Sequence, residues 1–253
     1  MASTTRRAFL LSSAALAVGC AIRRTALDAQ PEPATRQPAL GQTWRYAKLD
    51  VFSRKQVDTQ IDTVAAVGAS VTINSTSEAG PATNASHGWG SELLRKFTAR
   101  DRTAHTVLPG EIQQPWGMIL VDSHWSQIQV YERPLPLWPT RLQPGWRTII
   151  NAKYKTPGNE DGLPWQLTMD AEDWETIAVP AGQFKALRFS NLINFTDSEG
   201  GRKDSIRHEK IWVAPEIGRW VVRQSTGTYY LSDSTADQRF DESGYRWELE
   251  GYT

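Results

Sequence analysis

The chain has 253 residues, with 28 lysines and arginines balanced by 28 aspartates and glutamates, and it contains a single cysteine. This length suits one large β domain or two small ones with a buried core. The charge balance argues against a general nucleic-acid-binding protein, which needs a basic face, and one cysteine excludes an intramolecular disulfide.

The first 20 residues have the layout of a secretory signal. Arg6 and Arg7 precede an apolar stretch, residues 8–18, and small residues then lead to Cys20. That stretch is shorter than the ~20 apolar residues that span a bilayer. We therefore predict a signal peptide over residues 1–19.

Two resemblances sharpen this prediction. Residues 5–10, Thr-Arg-Arg-Ala-Phe-Leu, resemble the twin-arginine export signal. Residues 16–20, Leu-Ala-Val-Gly-Cys, resemble a lipobox, with alanine where leucine is commoner. The lipobox resemblance implies cleavage before Cys20 and lipid attachment to its sulfur, whereas an ordinary signal peptide with an incidental cysteine is the alternative. We expect a membrane-anchored cell-envelope protein facing the periplasm or the exterior, and Ala21 leaves an outer-membrane location open.

The remainder divides into an anchor and flexible tether, residues 20–40, and an antiparallel β domain, residues 41–253. The tether is rich in alanine and proline and has no sustained period. In the domain, apolar and polar residues alternate with a period of two, which is typical of half-buried strands. The predicted inward sets are Val57, Thr59, Ile61 and Thr63; Ala69, Val71 and Ile73; Trp165, Leu167 and Met169; Leu187, Phe189, Ile193 and Phe195; and Tyr245, Trp247 and Leu249.

Turn signals support a sheet with little helix. Residues 179–182, Val-Pro-Ala-Gly, have proline and glycine where a type I turn favours them, and only Ser91–Ala99 predicts a short helix. Residues 40–45 also weakly resemble residues 142–147. Two related halves, about 41–135 and 136–253, would explain this similarity, and chance explains it equally well. The predicted fold class is mainly β: a large twisted antiparallel sheet, as a half-barrel or as two related sheet halves.

Two segments carry a family resemblance. Residues 175–188 contain Val-Pro-Ala-Gly-Gln-Phe-Lys, and residues 211–218 read Ile-Trp-Val-Ala-Pro-Glu-Ile-Gly. Over residues 135–225 the chain is similar to a group of uncharacterised bacterial envelope proteins that share this hairpin and the Ala-Pro-x-x-Gly strand end. Such proteins resemble the LolA/LolB class, which implies a half-barrel around an apolar ligand. The shared residues belong to turns and strands, so the resemblance transfers no chemistry.

Few residues point to catalysis. The histidines, His87, His105, His124 and His208, lack metal-ligand spacing, and no glycine loop could cradle a phosphate, so we predict neither a metal site nor a cofactor. Glu172, Asp173 and Glu175 surround Trp174 and could act in glycoside hydrolysis, although a solvated strand end explains them more simply.

The eleven tryptophans are the most unusual feature of the composition. Core packing is one explanation, and a ligand groove is the other, because tryptophan combines a large apolar body with one N–H donor. The candidates for a groove are Trp116, Trp125, Trp146, Trp165 and Trp174. The sequence thus favours a non-enzymatic binding or carrier module for an apolar or amphipathic partner, whether lipid, glycan or envelope protein. The alternative is an envelope polysaccharide hydrolase that uses carboxylates.

Overall fold

The structure is a computed structural model that describes residues 33–79, 109–125, 127–139, 141–157, 159–197, 201–231 and 238–253. The described residues belong to one compact unit that spans residues 32–253. Arg6, Arg7, Cys20 and the predicted helix Ser91–Ala99 lie outside them. Within the described part of the chain, no helix is long and apolar enough to cross a membrane.

In the described part of the chain, thirteen strands form one antiparallel sheet. They are β1 (Thr43–Asp50), β2 (Gln56–Val67), β3 (Val71–Ala79), β4 (Pro109–Gln113), β5 (Met118–Asp122), β6 (Gln129–Pro136), β7 (Arg147–Thr156), β8 (Asn159–Val179), β9 (Gly182–Phe195), β10 (Arg202–Ala214), β11 (Arg219–Leu231), β12 (Arg239–Asp241) and β13 (Tyr245–Tyr252).

The sheet closes on itself. Each strand from β1 to β11 pairs with the next one along the chain, and β13 lies between β11 and β1, which joins the two ends into a twelve-stranded barrel. The short strand β12 extends β11 beyond its contact with β13. The predicted mainly-β antiparallel class is confirmed. The sheet is a closed barrel instead of a half-barrel, because its two edge strands, β1 and β11, both pair with β13.

Most of the predicted inward faces are correct, although Ala69 is exposed in the turn between β2 and β3. In β8, Trp165, Leu167 and Met169 are 3%, 4% and 0% exposed, and in β13 Trp247 and Leu249 are also buried. The Val179–Gly182 turn is confirmed as well, since these two residues pair at the β8–β9 hairpin.

Strand β2 departs from the prediction. Its acidic Asp62 is completely buried, whereas Ile61, which we assigned to the inward face, is only partly buried. The polar face of β2 therefore faces the interior, and the reason is an arginine on β11 that neutralises Asp62.

The β6–β7 loop packs on tryptophans from other parts of the sheet. Its Trp138 contacts Trp116 edge to face at 5.5 Å between ring centroids, and Trp116 stacks on Trp44 at 6.1 Å. Trp116 Nε1 also donates to the Gly218 carbonyl at 2.9 Å. This packing holds Trp138 of the β6–β7 loop against Trp116.

Candidate functional site

A cluster of buried charged side chains fills part of the interior. Its members are at most 6% exposed, and we refer to them as the luminal network: Asp62, Glu111, Asp122, His124, Glu209, Arg219 and Arg223. Both arginines lie on β11, but most of their partners lie on strands that are not its neighbours. The network therefore crosses the space that the sheet encloses.

Each arginine binds two carboxylates. Arg219 donates to Glu111 at 2.9 and 3.0 Å and to Asp62 at 2.8 Å. Arg223 donates to Asp122 at 2.8 Å and to Glu209 at 2.6 Å. These charge-assisted bonds tie β11 to β2, β4, β5 and β10.

The charges reinforce one another. Burial alone would lower the pKa of Arg219 and of Arg223, but the adjacent carboxylates outweigh burial and raise both pKa values above the ordinary range. Burial would likewise raise the pKa of Asp122, yet the Arg223 guanidinium and the hydrogen bond from His124 hold it well below its usual range. These groups are therefore charged at neutral pH.

The hydrogen bonds of His124 assign its tautomer. Trp247 Nε1 can only donate a hydrogen bond, and it lies 3.0 Å from one end of the Gln60 amide. That end must therefore be the oxygen, Oε1. Gln60 Nε2 then donates to Asp62 at 2.7 Å and to His124 Nε2 at 3.0 Å. Because His124 Nε2 accepts, the ring is neutral and carries its proton on Nδ1, which donates to Asp122 at 2.8 Å. Four carboxylates thus face two guanidiniums across the network.

Among the described residues, the cavity that borders these groups is small. The cavity that borders Arg223 and Asp122 measures about 20 Å³ and is also lined by Trp125, Trp165 and Asn191. That is close to the ~10–15 Å³ that one water needs. Within the described residues, no group of three or more acidic, histidine or cysteine side chains could hold a metal ion. The side chains of the network bind one another and so connect the strands that carry them.

The sequence did not reveal this network. Its one local signal is the run Arg219-Trp-Val-Val-Arg223, in which two arginines four residues apart flank three apolar residues of a strand. Such a spacing indicates two buried charges on one face, and therefore buried carboxylates elsewhere in the chain.

The five candidate groove tryptophans do not share one groove. Trp125 and Trp165 line the small interior cavity, and Arg207 and Arg223 lie over the Trp125 ring at 3.9 and 4.9 Å. Trp116 packs beneath the β6–β7 loop, and Trp174 lies under Lys185 Nζ at 5.6 Å. Trp146 alone among the five lines a larger opening.

That opening is a cleft of about 330 Å³ between β6 and β7, which we refer to as the seam cleft. Its walls are Met118, Pro136, Pro139, Arg141, Gln143, Trp146, Thr148 and Ile150. The lining is mostly apolar, with Arg141 and Gln143 exposed beside it. Its volume is at the lower end of the ~300–1,000 Å³ usual for ligand sites.

Two prolines in β6 explain why the sheet opens there. Within the described residues, β6 pairs with β7 only at Val130–Lys155 and Tyr131–Tyr154. Continuing this register would put Pro134 opposite Asn151 and Pro136 opposite Ile149. Neither proline has an N–H to donate, so the ladder stops.

Side chains replace two of the missing ladder bonds. Arg133 Nη2 donates to the Asn151 carbonyl at 2.7 Å, and Lys153 N donates to Glu132 Oε1 at 3.1 Å. A side chain reaches farther than a backbone group, so β6 and β7 separate without losing contact.

The acidic cluster around Trp174 does not suit catalysis. Glu172 and Glu175 both bind Arg188, and Glu175 also accepts from Trp212 Nε1 at 2.5 Å. Burial would raise the pKa of Glu172, but hydrogen bonds from Ser190 and Arg188 lower it instead. A glycosidase general acid needs a raised pKa, whereas the pKa of Glu172 is lowered.

No family model matches this chain, and no curated protein matches it significantly. Two solved structures resemble it. One is an inferred lipoprotein from Parabacteroides distasonis, with 10% identity, a TM-score of 0.45, and coverage of 88% of this chain and 98% of that one. The other is an inferred exported protein with a YmcC-like fold from Bacteroides fragilis, with 11% identity, a TM-score of 0.44, and coverage of 88% and 99%. At these values the similarities assign neither family nor function.

Proposed function

We propose that this chain is a lipid-anchored envelope protein whose β domain binds an amphipathic partner in the seam cleft, without catalysing a reaction. Export and anchoring rest on Arg6, Arg7 and Cys20, which have the arrangement of a lipoprotein signal. A tether over residues 20–40 would then separate the domain from the membrane surface.

The observation that carries the binding role is the seam cleft itself. It combines apolar walls, including Trp146 and Ile150, with the exposed cation Arg141 at its margin. Among the described residues, Arg141 has no ion-pair partner. Apolar walls and one convergent cation are the features of a site for a ligand that has an apolar body and a polar end.

The cleft sets the expected affinity. Burying ~200 Å² of apolar ligand surface at ~25 cal/mol/Å² stabilises a complex by about 5 kcal/mol before the costs of association. We therefore expect weak binding of small probes and stronger binding only where polar contacts add to burial.

The test is calorimetric titration of the mature protein with lauric acid, a phospholipid and a peptidoglycan fragment. Trp146→Ala should weaken the binding of a true ligand about tenfold, which corresponds to ~1.4 kcal/mol. Trp174→Ala is the matched control, because Trp174 is also partly buried but lies outside the cleft. An equal loss of affinity in the two variants would contradict the proposal. So would a natural protein that binds none of the three probes.

The hydrolase alternative has its own test. If the acidic cluster were catalytic, purified protein would cleave peptidoglycan or an envelope polysaccharide, and Glu172→Gln would abolish the cleavage. We expect no turnover, because Arg188 and Ser190 already occupy the Glu172 carboxylate.

A further inference from the structure

The β7 edge that borders the seam cleft has a defined direction. Asn151 O and Lys153 N both face β6, where they bind Arg133 and Glu132. Backbone groups of alternate residues in a strand point to the same neighbour. The N–H and C=O groups of Arg147 and Ile149 therefore also face the seam, and the β6–β7 ladder ends before it reaches them.

The two surfaces beside this edge differ in character. On the inner side, Trp146 and Ile150 belong to the apolar lining of the cleft. On the outer side, Arg147 and Lys153 are exposed, and Ile149 between them is 61% exposed. The exposed Glu132 of β6 lies at the same edge, where its carboxylate accepts from Lys153 N. Of the two cations only Arg147 has a carboxylate partner among the described residues, Asp170 at 3.3 Å.

We infer that the partner of the seam cleft is an extended peptide segment that adds to β7 as a strand along residues 147–149. The inference rests on the proposed function and names the class of ligand. Successive side chains of a strand point to opposite faces, so the matching peptide alternates apolar residues, directed into the cleft, with acidic residues on the side of Arg147 and Lys153.

The backbone edge distinguishes a peptide from a lipid. An acyl chain could fill the apolar cleft and pair with Arg141, but it would offer nothing to the N–H and C=O groups of Arg147 and Ile149. A peptide strand satisfies both the apolar lining and the backbone edge, which is how exposed sheet edges recruit extended partners.

The probe is a capped seven-residue peptide in which leucine and aspartate alternate, titrated calorimetrically into the mature protein. N-methylation of every second residue removes the N–H groups on one edge of the peptide only. Methylation of the edge that faces β7 should weaken binding about tenfold, because the hydrogen bonds to the Arg147 and Ile149 carbonyls are lost, and methylation of the other edge should change it less than about threefold. Equal effects of the two methylated peptides would overturn the inference.

Two further experiments test the inference, one with variants of the protein and one with a changed peptide. Ile149→Pro removes one N–H that faces the seam and should weaken the peptide about fivefold without weakening lauric acid, whereas Ile149→Val should change neither. Replacing the aspartates of the peptide with lysines should abolish binding through charge repulsion.

The outcomes separate this inference from the proposed function. Binding of lauric acid that depends on Trp146, without binding of the alternating peptide, would overturn the inference and leave the proposed function standing. An unchanged affinity of the peptide for the Ile149→Pro variant would also overturn the inference. Failure of every amphipathic probe would remove both.

Discussion

Arg223 on β11 and Asp122 on β5 form an ion pair across the interior of the closed sheet, with 2.8 Å between Nη2 and Oδ2. Their side chains are 1% and 2% exposed. Since β5 and β11 are not neighbours, this pair links opposite walls through the space between them. A second arginine of β11, Arg219, forms ion pairs with Asp62 on β2 and Glu111 on β4.

Loss of Arg223 should be strongly destabilising. Arg223→Met leaves Asp122 and Glu209 buried without their cation, and breaking a buried pair in this way costs about 3–5 kcal/mol. The free energy of unfolding in urea measures the effect. Arg147→Met at the exposed Arg147–Asp170 pair is the control and should cost less than about 1 kcal/mol. Similar losses in the two variants would contradict a buried network.

The pH dependence of stability should follow Asp122. Its folded pKa is held below the unfolded value of about 3.9, so its contribution is complete at neutral pH and declines as the pH falls below about 4. Each such group adds a slope of up to about 1.4 kcal/mol per pH unit. Urea unfolding between pH 2 and pH 6 should show the decline in the natural chain.

Two variants isolate that contribution. Asp122→Asn should flatten the acid slope even though it lowers stability at pH 7. Asp50→Asn should flatten it less, because the pKa of Asp50 is lowered mainly by a backbone hydrogen bond from Ser53 near the surface. An unchanged slope in Asp122→Asn would show that other carboxylates control acid unfolding.

Two glycines with positive φ provide a matched pair of substitutions. Gly145 has φ +79° and no atom near the position of an added Cβ, so Gly145→Ala should cost only the left-handed backbone penalty of about 1–2 kcal/mol. Gly117 has φ +89°, and its added Cβ would lie 2.7 Å from Trp138 Nε1. We expect Gly117→Ala to lower the melting temperature clearly more than Gly145→Ala, and the reverse order would contradict the Trp138 packing.

Anchoring at Cys20 predicts a specific mass. Intact-mass analysis of protein extracted from membranes should find an acylated species that begins at residue 20. Cys20→Ser should release the protein from the membrane fraction, while Ala21→Ser should leave it anchored. A mature soluble form with a free Cys20 thiol would disprove lipidation.

Local patterns predicted several of the strands and failed where a distant partner decides burial. Leu167 and Trp247 alternate with polar neighbours, and both are buried as predicted. Asp62 also belongs to an alternating segment, but its face turns inward because Arg219 binds it from 157 residues away. No period in the sequence around Asp62 contains that information.

The seam has a similar explanation. Pro134 and Pro136 are visible in the sequence as interruptions of a strand, yet their effect depends on the register that places Asn151 and Ile149 opposite them. The tryptophan count likewise indicated apolar surface, but only the folded chain separates Trp165, which is buried in the core, from Trp146, which lines the cleft.

Closure of the sheet also determines how the domain folds. Thr43 N donates to Thr253 Oγ1 across 210 residues of chain, beside the pairing of β1 with β13. Contacts between residues so far apart make folding slow, because the entropy of closing the chain is lost before the contacts form. The Arg219 and Arg223 pairs across the interior can form only once opposite walls meet, so substitutions there should accelerate unfolding more than they retard folding.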